Sequence, residues 1–194
     1  MDIKELAASI YDDLDIVVSS ITRDTDVLQF GLEYDDWAKS GAKLAFRFRC
    51  EGVKESNLVP GQFEGIWWED EHPLLLRHNY PRCELYFATP PDRPSEVVGM
   101  LFLAHESYCN GWLRFYDFLN SGLGHGRTDE VLAMGFGLLA GGPLPLMELY
   151  RQTVGHLLET YIVVSSTAID RRRLLLVDSQ FVICTMVRVE QLAG

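Results

Sequence analysis

The feature of this sequence that most constrains its fold is a set of short segments in which every second residue is apolar. Positions 43, 45, 47, 49 and 51 hold Lys, Ala, Arg, Arg and Glu, and the positions between them hold Leu44, Phe46, Phe48 and Cys50. A period of two is typical of a β-strand with one face on a core and the other in water. Segments 28–34 and 83–87 repeat the pattern. The chain is therefore predicted to be a sheet-based globular protein with helices on the buried face of the sheet.

The length and composition fit a globular protein of one large domain or two small ones. The chain has 194 residues, of which 47% are hydrophobic and 23% charged, so a disordered chain is excluded. We expect a single domain over residues 1–194, with a subdivision near 90–94, where Pro90-Pro91-Asp92-Arg93-Pro94 interrupts the regular pattern.

The first half of the chain predicts one long helix followed by four strands. Apolar residues at helical spacing predict a helix over 3–21. Strands are expected near 27–34, 43–51, 63–69 and 82–88. Their connectors are too short for most helical crossovers, so antiparallel pairing of the four is the simplest arrangement.

The second half predicts helices first and strands last. A helix begins at Pro94 or Ser95, residues 112–119 fit either helix or strand, and 120–127 is expected to be a loop. A short helix is slightly favoured over 128–140, and a final helix spans about 144–160. Strands follow at 161–168, 172–178 and 181–190, with Asp178-Ser179-Gln180 joining the last two as a hairpin. The fold class expected is α+β, with a mainly antiparallel sheet of about six to seven strands and three or so packed helices.

Cysteine usage and hydropathy predict a reduced cytoplasmic protein. The four cysteines are widely spaced and lack a Cys-x-x-Cys pair, so buried free thiols are favoured over a disulfide framework or a zinc site. The longest apolar runs, such as 174–177, are too short to cross a bilayer. Residues 1–5 lack the basic start and apolar stretch of a secretory signal. We expect no cofactor and no metal.

The charge is negative and unevenly distributed. The net charge is −11, and residues 1–71 hold sixteen Asp or Glu against seven Lys or Arg. A negative surface repels nucleic acid and anionic lipid, which argues against binding to either. Such acidity either maintains solubility, the commoner case, or provides a face for a basic protein partner. The candidate residues for that face lie in connectors at strand ends, with one tryptophan as an apolar anchor: Asp35, Asp36, Trp37, Glu69, Asp70 and Glu71.

Two histidine clusters are candidates for chemistry. Glu69-Asp70-Glu71-His72, with His78 six residues later, offers carboxylates and imidazoles, but the spacing matches no metal signature and a solvated acidic turn is favoured. His105 lies on the apolar stripe of the middle helix, where a histidine bonded within the core is the commoner case. If it instead faces a pocket, the pocket residues are His105, Tyr108, Trp112 and Arg114. Cys109 lies one turn after His105 and forms a candidate thiolate–imidazolium pair, although no third residue orients the histidine.

Glycine and arginine clusters give two further motifs. Gly122-Leu123-Gly124-His125-Gly126-Arg127 departs from the dinucleotide fingerprint and from the P-loop, so a surface loop is favoured over a phosphate site. Arg171-Arg172-Arg173 fits either an anion site or a solvated turn, and the turn is favoured.

These observations favour a non-enzymatic binding protein with an acidic face for a basic protein partner. Small acidic proteins that neutralise a basic toxin or nuclease fit the same description, and this is an analogy only. The first alternative is a hydrolase that uses a His/carboxylate cluster, with or without a metal. The second is a small-molecule-binding domain whose pocket lies under the glycine-rich segment 122–142.

Overall fold

The structure is a computed structural model that describes residues 3–10, 15–36 and 42–192. Within these residues the chain forms six α-helices: α1 (Ile3–Ser9), α2 (Leu76–Asn79), α3 (Pro94–Cys109), α4 (Ser121–Gly124), α5 (Thr128–Ala133) and α6 (Leu144–Val154). It also forms twelve strands: β1 (Ile16–Asp24), β2 (Val27–Asp36), β3 (Ala42–Glu51), β4 (Glu55–Ser56), β5 (Gly61–Phe63), β6 (Ile66–Glu69), β7 (Arg82–Phe87), β8 (Gly137–Pro143), β9 (Thr160–Ser166), β10 (Arg173–Val177), β11 (Gln180–Cys184) and β12 (Met186–Leu192). Two 3-10 turns lie at Pro73–Leu75 and Phe115–Asp117.

The chain divides into two compact units. Unit 1 comprises Met1–Leu75 and Arg171–Gly194, and unit 2 comprises Leu76–Asp170. Unit 2 is therefore an insertion between two segments of unit 1. A compact unit is not by itself a domain that folds alone, so the expectation of one domain with a subdivision near 90–94 stays a prediction.

Unit 1 contains two antiparallel sheets around a common core. One has the strand order β12-β3-β2-β1-β5 and the other the order β4-β11-β10-β6. The alternating apolar residues of β2 and β3 point into the core, where the rings of Phe30 and Phe48 stack with their centroids 4.7 Å apart. Ile3 and Leu6 of α1 enter the same core, as do Leu175 and Val177 of β10.

Unit 2 contains a three-stranded antiparallel sheet of order β8-β7-β9, together with five helices. The central strand β7 buries alternate residues, Cys83, Leu85 and Phe87. Helix α3 buries Val97, Leu101, His105 and Cys109 at helical spacing. Phe118, which is also buried, forms part of the candidate site described below.

The mixed α/β class and the antiparallel pairing are confirmed, but the sheet count is wrong. The described residues form three sheets of five, four and three strands rather than one sheet of six to seven. The strand near 82–88 exists as β7, yet its partners are β8 and β9. Strand β8 lies in the glycine-rich segment, whose weak strand propensity concealed it.

The predicted helix over 3–21 is wrong beyond its first turns. The described residues form helix only as α1, and β1 begins at Ile16. Residues 11–14 lie outside the described residues. Ile16, Val17 and Val18 are consecutive β-branched residues, which favour a strand, and Ile16 and Val18 are buried at the strand period of two.

Two other predicted strands each contain a break at which the chain passes between the sheets of unit 1. The segment 63–69 is divided into β5 and β6 by the turn Glu64-Gly65, and β5 pairs with β1 while β6 pairs with β10. The segment 181–190 is divided by Thr185, so β11 lies in the four-stranded sheet and β12 in the five-stranded one. An apolar pattern does not record such a change, since both sheets face the same core.

The remaining elements are closer to expectation. Helix α3 begins at Pro94 as predicted, α5 supplies the short helix expected after residue 127, and the hairpin at Asp178-Ser179 joins β10 to β11. Helix α6 ends at Val154 rather than near 160. Among the helices of the described residues, none combines the length and apolar character needed to span a membrane.

Candidate functional site

The best candidate site is a cavity of about 420 Å³ within unit 2, named here the arginine pocket. Small-molecule sites typically enclose about 300–1,000 Å³, so this volume suits a small organic ligand. The residues that line it are Arg77, Tyr80, Arg82, Asp117, Phe118, Gly141, Gly142 and Pro143.

The walls of the arginine pocket are joined by backbone hydrogen bonds between segments distant in sequence. The Leu144 N–H donates to Pro81 O at 2.9 Å and ties the start of α6 to the residues just before β7. The Gly141 N–H donates to Phe118 O at 2.8 Å and ties β8 to the residue after the 3-10 turn. These two bonds hold the wall segments in fixed positions.

Arg77 is held in place from two sides. Its Nη2 lies 3.1 Å from Asp117 Oδ2, and its Cζ lies 4.8 Å from the ring centroid of Phe118. Phe118 is only 4% exposed, so it provides a firm apolar base for the guanidinium. An exposed ion pair contributes little stability by itself, but the ion pair and the cation–π contact together restrict the orientation of Arg77.

Arg82 differs from Arg77 because it forms no ion pair with any described residue. It is exposed at the start of β7 and lines the same cavity. The lining therefore carries two guanidinium charges and one carboxylate charge, which leaves one net positive charge. Pro143 lies just before α6, so the positive end of that helix dipole adds to the potential at this wall.

The two glycines of the lining have different constraints. A Cβ on Gly142 would lie 2.7 Å from Phe118 Cδ1, so only glycine fits beneath that ring. A Cβ on Gly141 would meet its nearest atom, Cys83 O, at an ordinary 3.8 Å. Gly141 is therefore a position at which a side chain can be added without a clash.

The two arginines make the lining of the pocket suited to binding an anion. Arginine stays protonated at all physiological pH values and presents several N–H donors in one plane, which suits carboxylates and phosphates. Among the lining residues there is no serine, cysteine, histidine or lysine.

The residues predicted for an acidic face are in part engaged by the fold itself. Asp70 forms ion pairs with Lys4 and Arg173, each at 3.0 Å. Asp35 and Glu71 are exposed, and Glu69 is half-buried at the end of β6. Asp36 is the last residue of β2, and Trp37 lies outside the described residues.

The four predicted pocket residues do not line the arginine pocket. His105 is fully buried, with Nδ1 2.7 Å from the Tyr150 hydroxyl and Nε2 2.8 Å from Leu113 O. Tyr108 and Arg114 are exposed, and Trp112 is half-buried. The expected burial of His105 is therefore confirmed.

The candidate Cys109–His105 couple does not have the character of a nucleophile. Cys109 Sγ lies 3.9 Å from His105 Nδ1, but that nitrogen already has Tyr150 as its closer partner. Burial, together with Glu106, raises the pKa of Cys109 to about 11. The sulfur is therefore a thiol near neutral pH, whereas the thiolate is the reactive form.

The remaining motifs also have internal roles. Arg173 pairs with Asp70 and lies over Trp68, and Arg172 Nη1 donates to Gly52 O. His72 Nδ1 accepts from the Leu74 N–H at 3.2 Å, and burial lowers the pKa of His72. Over residues 3–10, 15–36 and 42–192, no three His, Cys, Asp or Glu side chains are grouped as a metal site.

The arginine pocket was missed from the sequence because its residues are far apart along the chain. Arg77 and Tyr80 lie in a stretch for which no element was predicted, Arg82 begins the predicted strand near 82–88, and Asp117 follows Arg77 by forty residues. The only signal was the pair Gly141-Gly142, since adjacent glycines within a predicted sheet protein can mark a close backbone approach.

Comparisons with protein-family models, with curated proteins and with solved structures find no match for this chain.

Proposed function

We propose that this is a non-enzymatic binding protein that takes up a small anionic molecule in the arginine pocket. The observation that carries the proposal is Arg82, a guanidinium without an ion-pair partner among the described residues, beside Arg77, whose orientation is fixed. An anion bound there gains charge-assisted hydrogen bonds and restores charge balance. This proposal develops the alternative of a small-molecule pocket associated with the glycine-rich segment, since Gly141 and Gly142 form part of its wall.

The test is a titration of the intact protein with sodium benzoate, in which binding is measured by isothermal titration calorimetry at low salt. We expect saturable binding, which Arg82→Gln weakens about 10- to 100-fold, because a hydrogen bond to a charged group contributes about 1.5–3 kcal/mol. Arg151→Gln is the matched control, because it removes the same charge from an exposed arginine of unit 2 outside the pocket. Equal weakening by both substitutions would show that only the overall charge matters and would contradict the proposal.

An acidic face for a basic protein partner is the second candidate function. It is favoured by Asp35, Glu69 and Glu71, whose carboxylates form no ion pair with any described residue. Asp70 is a weaker member of the set, since Lys4 and Arg173 already neutralise it. Electrostatic attraction of this kind acts mainly on the association rate.

The test of this second function uses poly-L-lysine as the basic probe. Association with the double variant Asp35→Lys/Glu71→Lys should be slower than with the native protein, and salt should slow both, because the Debye length falls from about 10 Å at 0.1 M to about 3 Å at 1 M. The control is Asp92→Lys/Asp129→Lys, which makes the same charge change at exposed positions of unit 2. Identical rates for the two double variants would exclude a localised acidic face.

A further inference from the structure

We infer that the ligand of the arginine pocket is an organic monocarboxylate whose carboxylate is joined to an apolar body of about the size of one or two aromatic rings. This inference rests on the proposed function of the pocket as an anion site. Three features of the pocket support it, namely the charge of the lining, the geometry of its donors and the size and character of the cavity.

The charge of the lining matches one negative charge. Asp117 offsets Arg77, which leaves the charge of Arg82 to be balanced by the ligand. A further carboxylate, Glu84, lies beside the pocket wall, because its Cγ is 4.0 Å from where a Cβ on Gly141 would be. A phosphate monoester carries between one and two negative charges at pH 7. The additional charge of such a ligand would meet no further arginine or lysine in the lining and would be repelled by Glu84.

The donor geometry also matches a carboxylate. A guanidinium presents pairs of parallel N–H groups whose spacing fits the two oxygens of a carboxylate. Arg82 has those donors available, while one edge of Arg77 is occupied by Asp117. One bidentate contact at Arg82 is therefore the simplest arrangement for the anionic group.

The size of the cavity requires more than the carboxylate. A volume of about 420 Å³ greatly exceeds the space that acetate or phosphate would fill. The lining also includes the rings of Tyr80, Phe118 and Pro143, of which Tyr80 is 39% exposed. Burial of apolar ligand surface against these groups is favourable, so a ligand with an apolar body binds better than a bare anion.

The experiment compares four probes on the intact protein by calorimetry: 2-naphthoate, its neutral analogue 2-naphthamide, acetate and inorganic phosphate. We expect 2-naphthoate to bind at least tenfold more tightly than each of the other three. Arg82→Gln should reduce its affinity at least tenfold. Gly141→Val should also reduce it, because Gly141 lines the cavity and a Cβ there meets its nearest atom at an ordinary 3.8 Å. The matched control is Gly99→Val, which adds the same side chain where nothing lies within 4 Å.

The outcomes separate this inference from the proposed function. If acetate or phosphate binds as tightly as 2-naphthoate and Arg82→Gln abolishes both, the anion site stands and the ligand class is wrong. If 2-naphthamide binds as tightly as 2-naphthoate, the ligand class is also wrong. If no probe shows binding that depends on Arg82, both proposals fail. Should Gly141→Val fail to fold by circular dichroism, the comparison of the four probes and the Arg82→Gln variant decide the question.

Discussion

His105 is the one fully buried histidine of the described residues, and its two ring nitrogens lie within a core of apolar groups. Burial raises the pKa of Tyr150 well above its ordinary value, with smaller contributions from Cys109 and Glu106, so its hydroxyl stays protonated. Leu113 O can only accept, so the His105 Nε2–H donates to it, and His105 Nδ1 forms a hydrogen bond with the Tyr150 hydroxyl. The imidazole thus joins α3 to α6 and to the chain that follows α3.

We predict that His105→Leu lowers the free energy of unfolding by about 2–6 kcal/mol, because it leaves Leu113 O and the Tyr150 hydroxyl buried without their partner, at about 1–3 kcal/mol each. The measurement is urea unfolding of the variant and of the control Leu103→Ala, an exposed position of the same helix. Adding Tyr150→Phe to His105→Leu should cost less than the sum of the two single effects, since no orphan hydroxyl remains. Additive effects would contradict the assigned bond.

At the residue scale, the sequence predicted which side chains are buried better than it predicted their hydrogen-bond and ion-pair partners. The helical stripe placed His105 inside, and the structure confirms it. Its partner Tyr150 lies 45 residues later, and nothing in the local pattern joins the two. The same limit applies to the arginine pocket, where Arg77 meets Asp117 through a separation of 40 residues. Periodicity reports which face of an element is apolar, but not which element it meets.

Asp178 joins two elements of unit 1 that belong to distant parts of the chain. Its carboxylate accepts from the Glu64 N–H at 3.0 Å and from the Gly65 N–H at 2.9 Å, so the turn between β10 and β11 holds the turn between β5 and β6. Asp178 has a φ of +52°, a left-handed conformation that Asp tolerates better than most residues. Asp178 thus belongs to the turn of the β10–β11 hairpin and also fixes the turn that separates β5 from β6.

We predict that Asp178→Gly speeds amide hydrogen exchange at Gly65, because the N–H loses a charged acceptor while the backbone of the turn stays relaxed. Asp178→Ala should lower the free energy of unfolding further, by about 1 kcal/mol more than Asp178→Gly, because alanine is strained at positive φ. Exchange measured by NMR on both variants checks the expectation, with Ser179→Ala as the control in the same turn. Unchanged exchange at Gly65 would show that the carboxylate does not hold this turn.

At the element scale, strands with a single clean alternation were predicted within one or two residues, as β2 and β3 show. The predicted elements were wrong where one continuous apolar pattern belongs to two different elements of the structure. The stripe from Ile3 to Ile21 belongs to a helix at its start and to β1 at its end, and the segment 63–69 belongs to two sheets. Strand β8 was not predicted because its sequence shows no apolar alternation, since three of its seven residues are Gly137, Gly141 and Gly142.

At the scale of the whole molecule, the charge asymmetry seen along the sequence is reduced by the fold. Residues 1–71 are strongly acidic, but unit 1 also contains residues 171–194, where Arg171, Arg172, Arg173 and Arg188 outnumber two carboxylates. Arg173 reaches Asp70, and Arg188 reaches Glu51. The three-sheet arrangement was not predictable for a related reason, since it depends on which distant strands pair.

The insertion of unit 2 into unit 1 has a consequence for synthesis on the ribosome. All segments of unit 2 emerge in one continuous stretch. Unit 1 cannot be completed until the residues after Asp170 have been synthesised. At about 5–20 residues per second, the intervening chain delays unit 1 by roughly 5–20 s. During that interval β3 lacks β12, its neighbour in the finished sheet, and so presents an open edge. The nascent chain therefore exposes its longest strand pair, β2 and β3, to chaperones or to neighbouring chains until its final strands arrive.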